Sequence, residues 1–120
     1  MKISQKDINS YASISGDHNP IHLDYEYAST TQFKSCIAHG MMSLAIVTEM
    51  LEKFFGKNLY SNSEVKTKFT APVFPNETIK TFGEILSINL NENKKKIICK
   101  IGCKKDNGET VIEGKITVTI

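Results

Sequence analysis

Two periods divide the chain. As far as Phe55 the apolar residues recur at helical spacing, and from Glu64 onward they alternate with polar ones. The first helix carries a full start signal. Ser4 can cap it, Asp7 stands three residues on, and Ile3 can staple onto Ile8, so a helix is expected from Ser4 to about Ile14. Ser15-Gly16-Asp17-His18-Asn19-Pro20 is a cluster of turn formers. Pro20 removes a backbone donor and pushes Asn19 towards extended geometry, which predicts a rigid loop instead of a helix. A short helix is expected after Asp24, with a break around Lys34 to Ile37. Gly40 to Phe55 is apolar on most sides with Gly56 placed to cap it, so this helix is expected to be buried nearly all round.

Beyond it, Val65, Thr67 and Phe69 alternate with Glu64, Lys66 and Lys68, the pattern of a half-buried strand. Ile97, Cys99, Ile101 and Cys103 share one strand face, and Ile112, Ile116, Val118 and Ile120 share a face of the next. Asp106-Asn107-Gly108 joins the two as a hairpin turn. Thr78 to Leu90 reads as a strand of mixed faces, closed by the turn at Asn91-Glu92-Asn93. Helices first and an antiparallel meander afterwards make an α+β fold, with the long apolar helix lying on one face of the sheet. A chain of 120 residues supports one core, so a single domain over 1-120 is expected.

Composition narrows the function. Hydrophobic residues at 40% and charged residues at 23% are those of an ordinary globular chain. A net charge of +2 is too mild for a nucleic-acid partner, and all basic residues are lysines, which cannot make bidentate phosphate contacts. Lys96, Lys100 and Lys104, with Lys94, Lys95 and Lys105 at the ends of the stripe, read as a solvated strand face. No apolar run approaches the ~20 residues that span a bilayer, so no membrane association is expected. Cys36, Cys99 and Cys103 are odd in number with no secretory segment ahead of them, which points to a reducing cytoplasm.

The chemistry concentrates in Tyr11-Ala12, Ser15-Gly16-Asp17-His18-Asn19-Pro20-Ile21-His22, Ala28 and Ala38-His39-Gly40. This pattern resembles the signature of the MaoC-like dehydratase and R-specific enoyl-CoA hydratase family. The resemblance implies a hot-dog fold, in which a curved antiparallel sheet wraps a long central helix. It implies interconversion of trans-2-enoyl-CoA and (3R)-3-hydroxyacyl-CoA with no cofactor beyond the coenzyme A thioester that is the substrate. It also implies a homodimer or higher homo-oligomer with thioester sites near the subunit interface. Many members carry an additional strand before the first helix. Here Ser4 starts that helix almost at once, so one sheet edge is expected to be shorter or paired differently.

Hydrating an α,β-unsaturated thioester needs water deprotonated at C3, a proton delivered at C2 and a stabilised enolate oxygen. Asp17 and His22, five residues apart on the proline-stiffened loop, are the expected acid–base pair. The Gly40 N–H at the helix start is the expected oxyanion donor. Ser15 and Asn19 are expected to support the loop, and His39, just before the helix, to serve the structure or the surroundings of the site. His18 and His22 have the i, i+4 spacing of helical zinc ligands, but Pro20 between them removes the helix that would align them, so no metal is expected. Cys99, Cys103, Met41, Met42 and Met50 read as core filling, Cys36 lies in the loop before the helix, and no cysteine is expected to act as a nucleophile. Two other functions fit the same residues: a dehydratase acting on acyl-carrier-protein thioesters, and a non-catalytic acyl-thioester-binding module.

Overall fold

The computed structural model describes residues 1–120. Its elements run α1 (Gln5–Ser15), α2 (Pro20–Leu23), α3 (Tyr25–Ser29), α4 (Gly40–Phe55), α5 (Asn58–Ser61), β1 (Ser63–Phe69), β2 (Ile79–Asn91), β3 (Lys94–Lys105) and β4 (Thr110–Thr119). The four strands form one antiparallel sheet in the order β1-β4-β3-β2. Helices precede strands, as the change of period predicts.

The start of α1 is a capping box. The Ser4 hydroxyl accepts from the Asp7 N–H at 3.1 Å and the Asp7 carboxylate accepts from the Ser4 N–H at 2.9 Å. The Ser4 backbone N–H, and then its hydroxyl, hold the Asp7 carboxyl below its ordinary range. Gly16 closes the helix at φ +80°, a left-handed value glycine adopts without strain. One departure follows directly. Pro20 does not end the local structure but starts a one-turn helix, α2, because its fixed φ suits the first helical position and Asn19 caps it. His22 therefore sits on a helical turn and not on the loop.

The inner face of the sheet reads along each strand as the alternation predicts: Ile97, Cys99, Ile101 and Cys103 are buried on β3, and Ile112, Ile116 and Val118 on β4. Ile120 is exposed past the end of the strand. The mixed faces of β2 have a cause, a bulge between Ile85 and Ser87, which adds Leu86 and restores Ile88 opposite Ile97. Helix α4 lies over β2 and β3, with Met42, Ser43, Val47 and Leu51 turned inward. Each such apolar side chain contributes about 1.5–3 kcal/mol by leaving water.

Two expectations about burial fail together. Helix α4 is not enclosed, since Met41 and Phe54 are exposed, and β1 is not half-buried, since Val65 and Phe69 are open although they pair with buried Ile116 and Ile112. The reason is coverage. One helix of 16 residues cannot roof four strands, so the inward side chains of the outer strands stay open. The N-terminal residues make one bridge to the head of β2, Lys2 with Thr78, where the Ile3 N–H donates to Glu77 O and the Ile79 N–H to Met1 O, both at 2.9 Å. That edge is paired by a single bridge instead of a full strand. Cys36, Cys99 and Cys103 are buried and unpaired, and burial pushes all three thiols up. No helix is long and apolar enough to cross a membrane.

Candidate active site

The segment between α1 and α2 is held by its own side chains. Ser15 Oγ accepts from the Asp17 N–H at 3.2 Å, Asp17 Oδ1 from the Asn19 N–H at 3.2 Å, and Asn19 Oδ1 from the Ile21 N–H at 3.1 Å. Each acceptor fixes the residue two ahead, so the chain passes from α1 to α2 along one path. The Asp17 side chain is left exposed at its middle.

His22 is buried, and its Nδ1 lies 2.7 Å from the carbonyl oxygen of Ile37. A carbonyl only accepts, so Nδ1 carries a proton, and in the neutral imidazole Nε2 is the nitrogen with the bare lone pair. Gln5 of α1 reaches the backbone of the same residue, its Nε2 donating to His22 O at 2.8 Å. Sequence reasoning missed Gln5, whose place on the polar side of a surface helix gives no signal.

Asp17, His22 and His39 come together, each offering one side-chain N or O atom within 4.8 Å of the others. His18 is exposed and outside this group. His39 has a larger place than its position before the helix suggested. It is buried, its ring stacks on His22 with centroids 3.9 Å apart, and its Nε2 donates to the Asp17 carbonyl at 2.9 Å. The same three side chains are the kind of set a divalent ion uses, and both imidazoles hold a backbone carbonyl with one nitrogen as metal ligands do. A carboxylate beside an imidazole with a free nitrogen is also the pairing that moves protons.

Gly40 opens α4 with no side chain capping the helix, so its first N–H groups point outward at the positive end of the dipole. It lines a cavity of about 320 Å³ with Phe33, Ile37, Ser43, Phe69 and Val73 among the walls. Asp17 and His22 do not line that cavity in the single chain. His22 adjoins it through Ile37, whose carbonyl holds the imidazole and which also lines the cavity. Apolar walls, a helix end and a neighbouring carboxylate–imidazole pair are what an acid–base reaction on a carbonyl compound requires.

Comparison with known proteins agrees. The sequence model of the MaoC like domain matches residues 1–108. Over 120 residues the chain is 36% identical to the (R)-specific enoyl-CoA hydratase of Rhodospirillum rubrum, covering 98% of this chain and 80% of that one. It is 32% identical to the mitochondrial 3-hydroxyacyl-[acyl-carrier-protein] dehydratase of Arabidopsis thaliana, covering 98% of this chain and 70% of that one. Its fold superposes on the unliganded R-hydratase of Pseudomonas aeruginosa with a TM-score of 0.76 at 30% identity, covering 98% of this chain and 74% of that one.

Proposed function

The chain belongs to the MaoC-like domain family and has its hot-dog fold, and from that premise we propose that it is a hydratase interconverting trans-2-enoyl-CoA and (3R)-3-hydroxyacyl-CoA. The observation that carries this reading is the meeting of the Asp17 carboxylate and the His22 imidazole beside the uncapped start of α4. His22 Nε2 takes a proton from water as the oxygen bonds to C3 and the C2=C3 π bond breaks. The pair returns that proton to C2, and the Gly40 N–H holds the enolate oxygen in between. Atoms balance without a redox partner, so the reaction calls for no cofactor. Positioned acid–base groups are worth typically ~10²–10⁴-fold in rate, and a donor to the oxyanion a similar factor.

A carrier-protein thioester is the second substrate reading, supported by the identity to the plant dehydratase. The reaction is the same and only the thiol differs. We place the enzyme in a reducing, cytoplasmic setting, supported by three unpaired buried thiols, and as a homodimer, supported by the open apolar faces of β1, β2 and α4.

The test is loss of enoyl-thioester absorbance when the protein is added to crotonyl-CoA, with chiral analysis of the product. Hydration to the (3R) product is expected, and Asp17→Asn is expected to abolish it while the protein stays folded by circular dichroism. Full activity in that variant would remove the mechanism. Binding of crotonyl-CoA without turnover by the unaltered protein would instead mark a binding module.

A further inference from the structure

His39 touches both members of the acid–base pair without lining the cavity. Its Nε2–H donates to the Asp17 carbonyl, which ties down the backbone that carries the carboxylate. Its ring lies against that of His22, and Tyr11 covers it from another side with centroids 4.8 Å apart. Because Nε2 holds the proton, Nδ1 is a bare acceptor, and it is the buried side-chain polar atom with no hydrogen-bond partner. An orphaned buried acceptor lowers stability, so a residue selected for packing alone would be apolar here. The imidazole keeps a contact that phenylalanine cannot make and a stacking face that glutamine lacks.

We propose that His39 is a positioning residue for hydration: through one hydrogen bond and one ring stack it sets Asp17 and His22 relative to each other, so that both meet the same water. It acts through those two side chains and does not touch the substrate. The inference rests on their proposed acid–base role. Its physical basis is the steepness of catalysis in geometry, since a displacement of about 1 Å can cost on the order of 10²-fold.

Three variants separate the contacts. His39→Phe keeps a ring against His22 and loses the donor, His39→Gln keeps an N–H for the Asp17 carbonyl and loses the ring, and His39→Ala loses both. With crotonyl-CoA, kcat is expected to fall about tenfold in each of the first two and further in the third, with KM within about twofold of the unaltered protein. His39→Phe loses the orphaned acceptor together with the bond to the Asp17 carbonyl, and its melting temperature is expected to stay near that of the unaltered protein. A packing role alone predicts the reverse, namely full kcat in His39→Phe, and that result would overturn the proposal.

A readout free of turnover is the ring-proton spectrum of His22. One narrow set of signals shifted by the neighbouring ring is expected in the unaltered protein and in His39→Phe, and signals moved towards unstacked values and broadened in His39→Gln. Unchanged His22 signals in His39→Gln would also overturn it. If the unaltered protein hydrates crotonyl-CoA and Asp17→Asn does not, wild-type rates in the His39 variants sink this inference alone. If the unaltered protein is inactive, the functional reading falls and the ring spectra still decide whether His39 holds His22.

Discussion

At the scale of single residues, Gly40 is where sequence and packing exert opposite pulls. Alanine is the better helix former, but a Cβ at Gly40 would stand 3.1–3.3 Å from ring atoms of Phe69. Phe69 is half exposed, so its ring can give way by a few tenths of an ångström. Gly40→Ala is therefore expected to change stability by less than about 1 kcal/mol, read from urea unfolding. Hydration of crotonyl-CoA should nonetheless fall on the order of 10²-fold, because the methyl and the displaced ring crowd the N–H that faces the carbonyl. Equal rates in the two proteins would take Gly40 out of the site. His39 shows the limit of residue-by-residue reading. Its neighbours Ala38 and Gly40 mark a buried helix start, but nothing local says that its ring meets His22 or that its Nε2 meets Asp17.

At the scale of elements, the turn between β3 and β4 is tied to the segment leading into β2. Lys105 Nζ reaches Glu77 Oε1 at 2.9 Å and Glu109 Oε1 at 3.1 Å, and lies 5.2 Å from the centre of the Phe74 ring. Glu77 Oε1 also accepts from the Phe74 N–H at 2.7 Å, so one carboxylate joins both segments. The sequence placed Lys105 at the end of a solvated lysine stripe, but its side chain is only 5% exposed. Alternation itself puts it there, because Lys105 shares the parity of Ile101 and Cys103, pairs with buried Ile79, and belongs to the inward face and not to that of Lys96, Lys100 and Lys104.

Burial draws the Lys105 ammonium down, but the hydrogen bonds and charges of Glu77 and Glu109 outweigh it and hold it above its ordinary value of 10.5. A cation raised in the native state adds stability that is complete below the unfolded value and is lost as pH rises through the native one. Urea midpoints should therefore fall in alkaline solution above about pH 10.5, more steeply than in Lys105→Met. Near neutral pH Lys105→Met is expected to cost about 1–3 kcal/mol, less than a fully buried pair, because both carboxylates can still reach water. Identical alkaline limbs in the two proteins would remove the ion cluster as their cause.

At the scale of the whole molecule, the single chain is too open for its mass. Its radius of gyration is 16.3 Å and its extents are 57 × 29 × 20 Å, where a compact chain of this length has a radius of about 13.5 Å. Its accessible surface is 7512 Å², about 1,000 Å² more than a monomer of 13.4 kDa exposes. That excess is close to the ~800 Å² each partner gives up in a standard interface. Much of it is apolar: Val65 and Phe69 on β1, Ile85, Ile88 and Leu90 on β2, and Phe54 on α4. Light scattering is expected to give twice the 13.4 kDa chain mass at micromolar protein. A single-chain mass would mean that these faces stay in water.

The sequence by itself determined whatever depends on near neighbours: the capping box at Ser4, the change of period, both hairpin turns, and the signature around Asp17 and Ala38-His39-Gly40 that marks the family. Caps, turns and alternation are set by backbone geometry over a few residues, so composition at fixed spacing suffices to read them. Tertiary structure alone decided which groups meet across distance and what stays uncovered. His39 reached His22 and Asp17 because α4 starts against α2. Lys105 met Glu77 and Glu109 on the inward face that alternation gives it, and Val65 and Phe69 stayed open because one helix covers only part of the sheet. Burial and long-range contacts depend on how much surface each element can cover, and no local pattern contains that quantity.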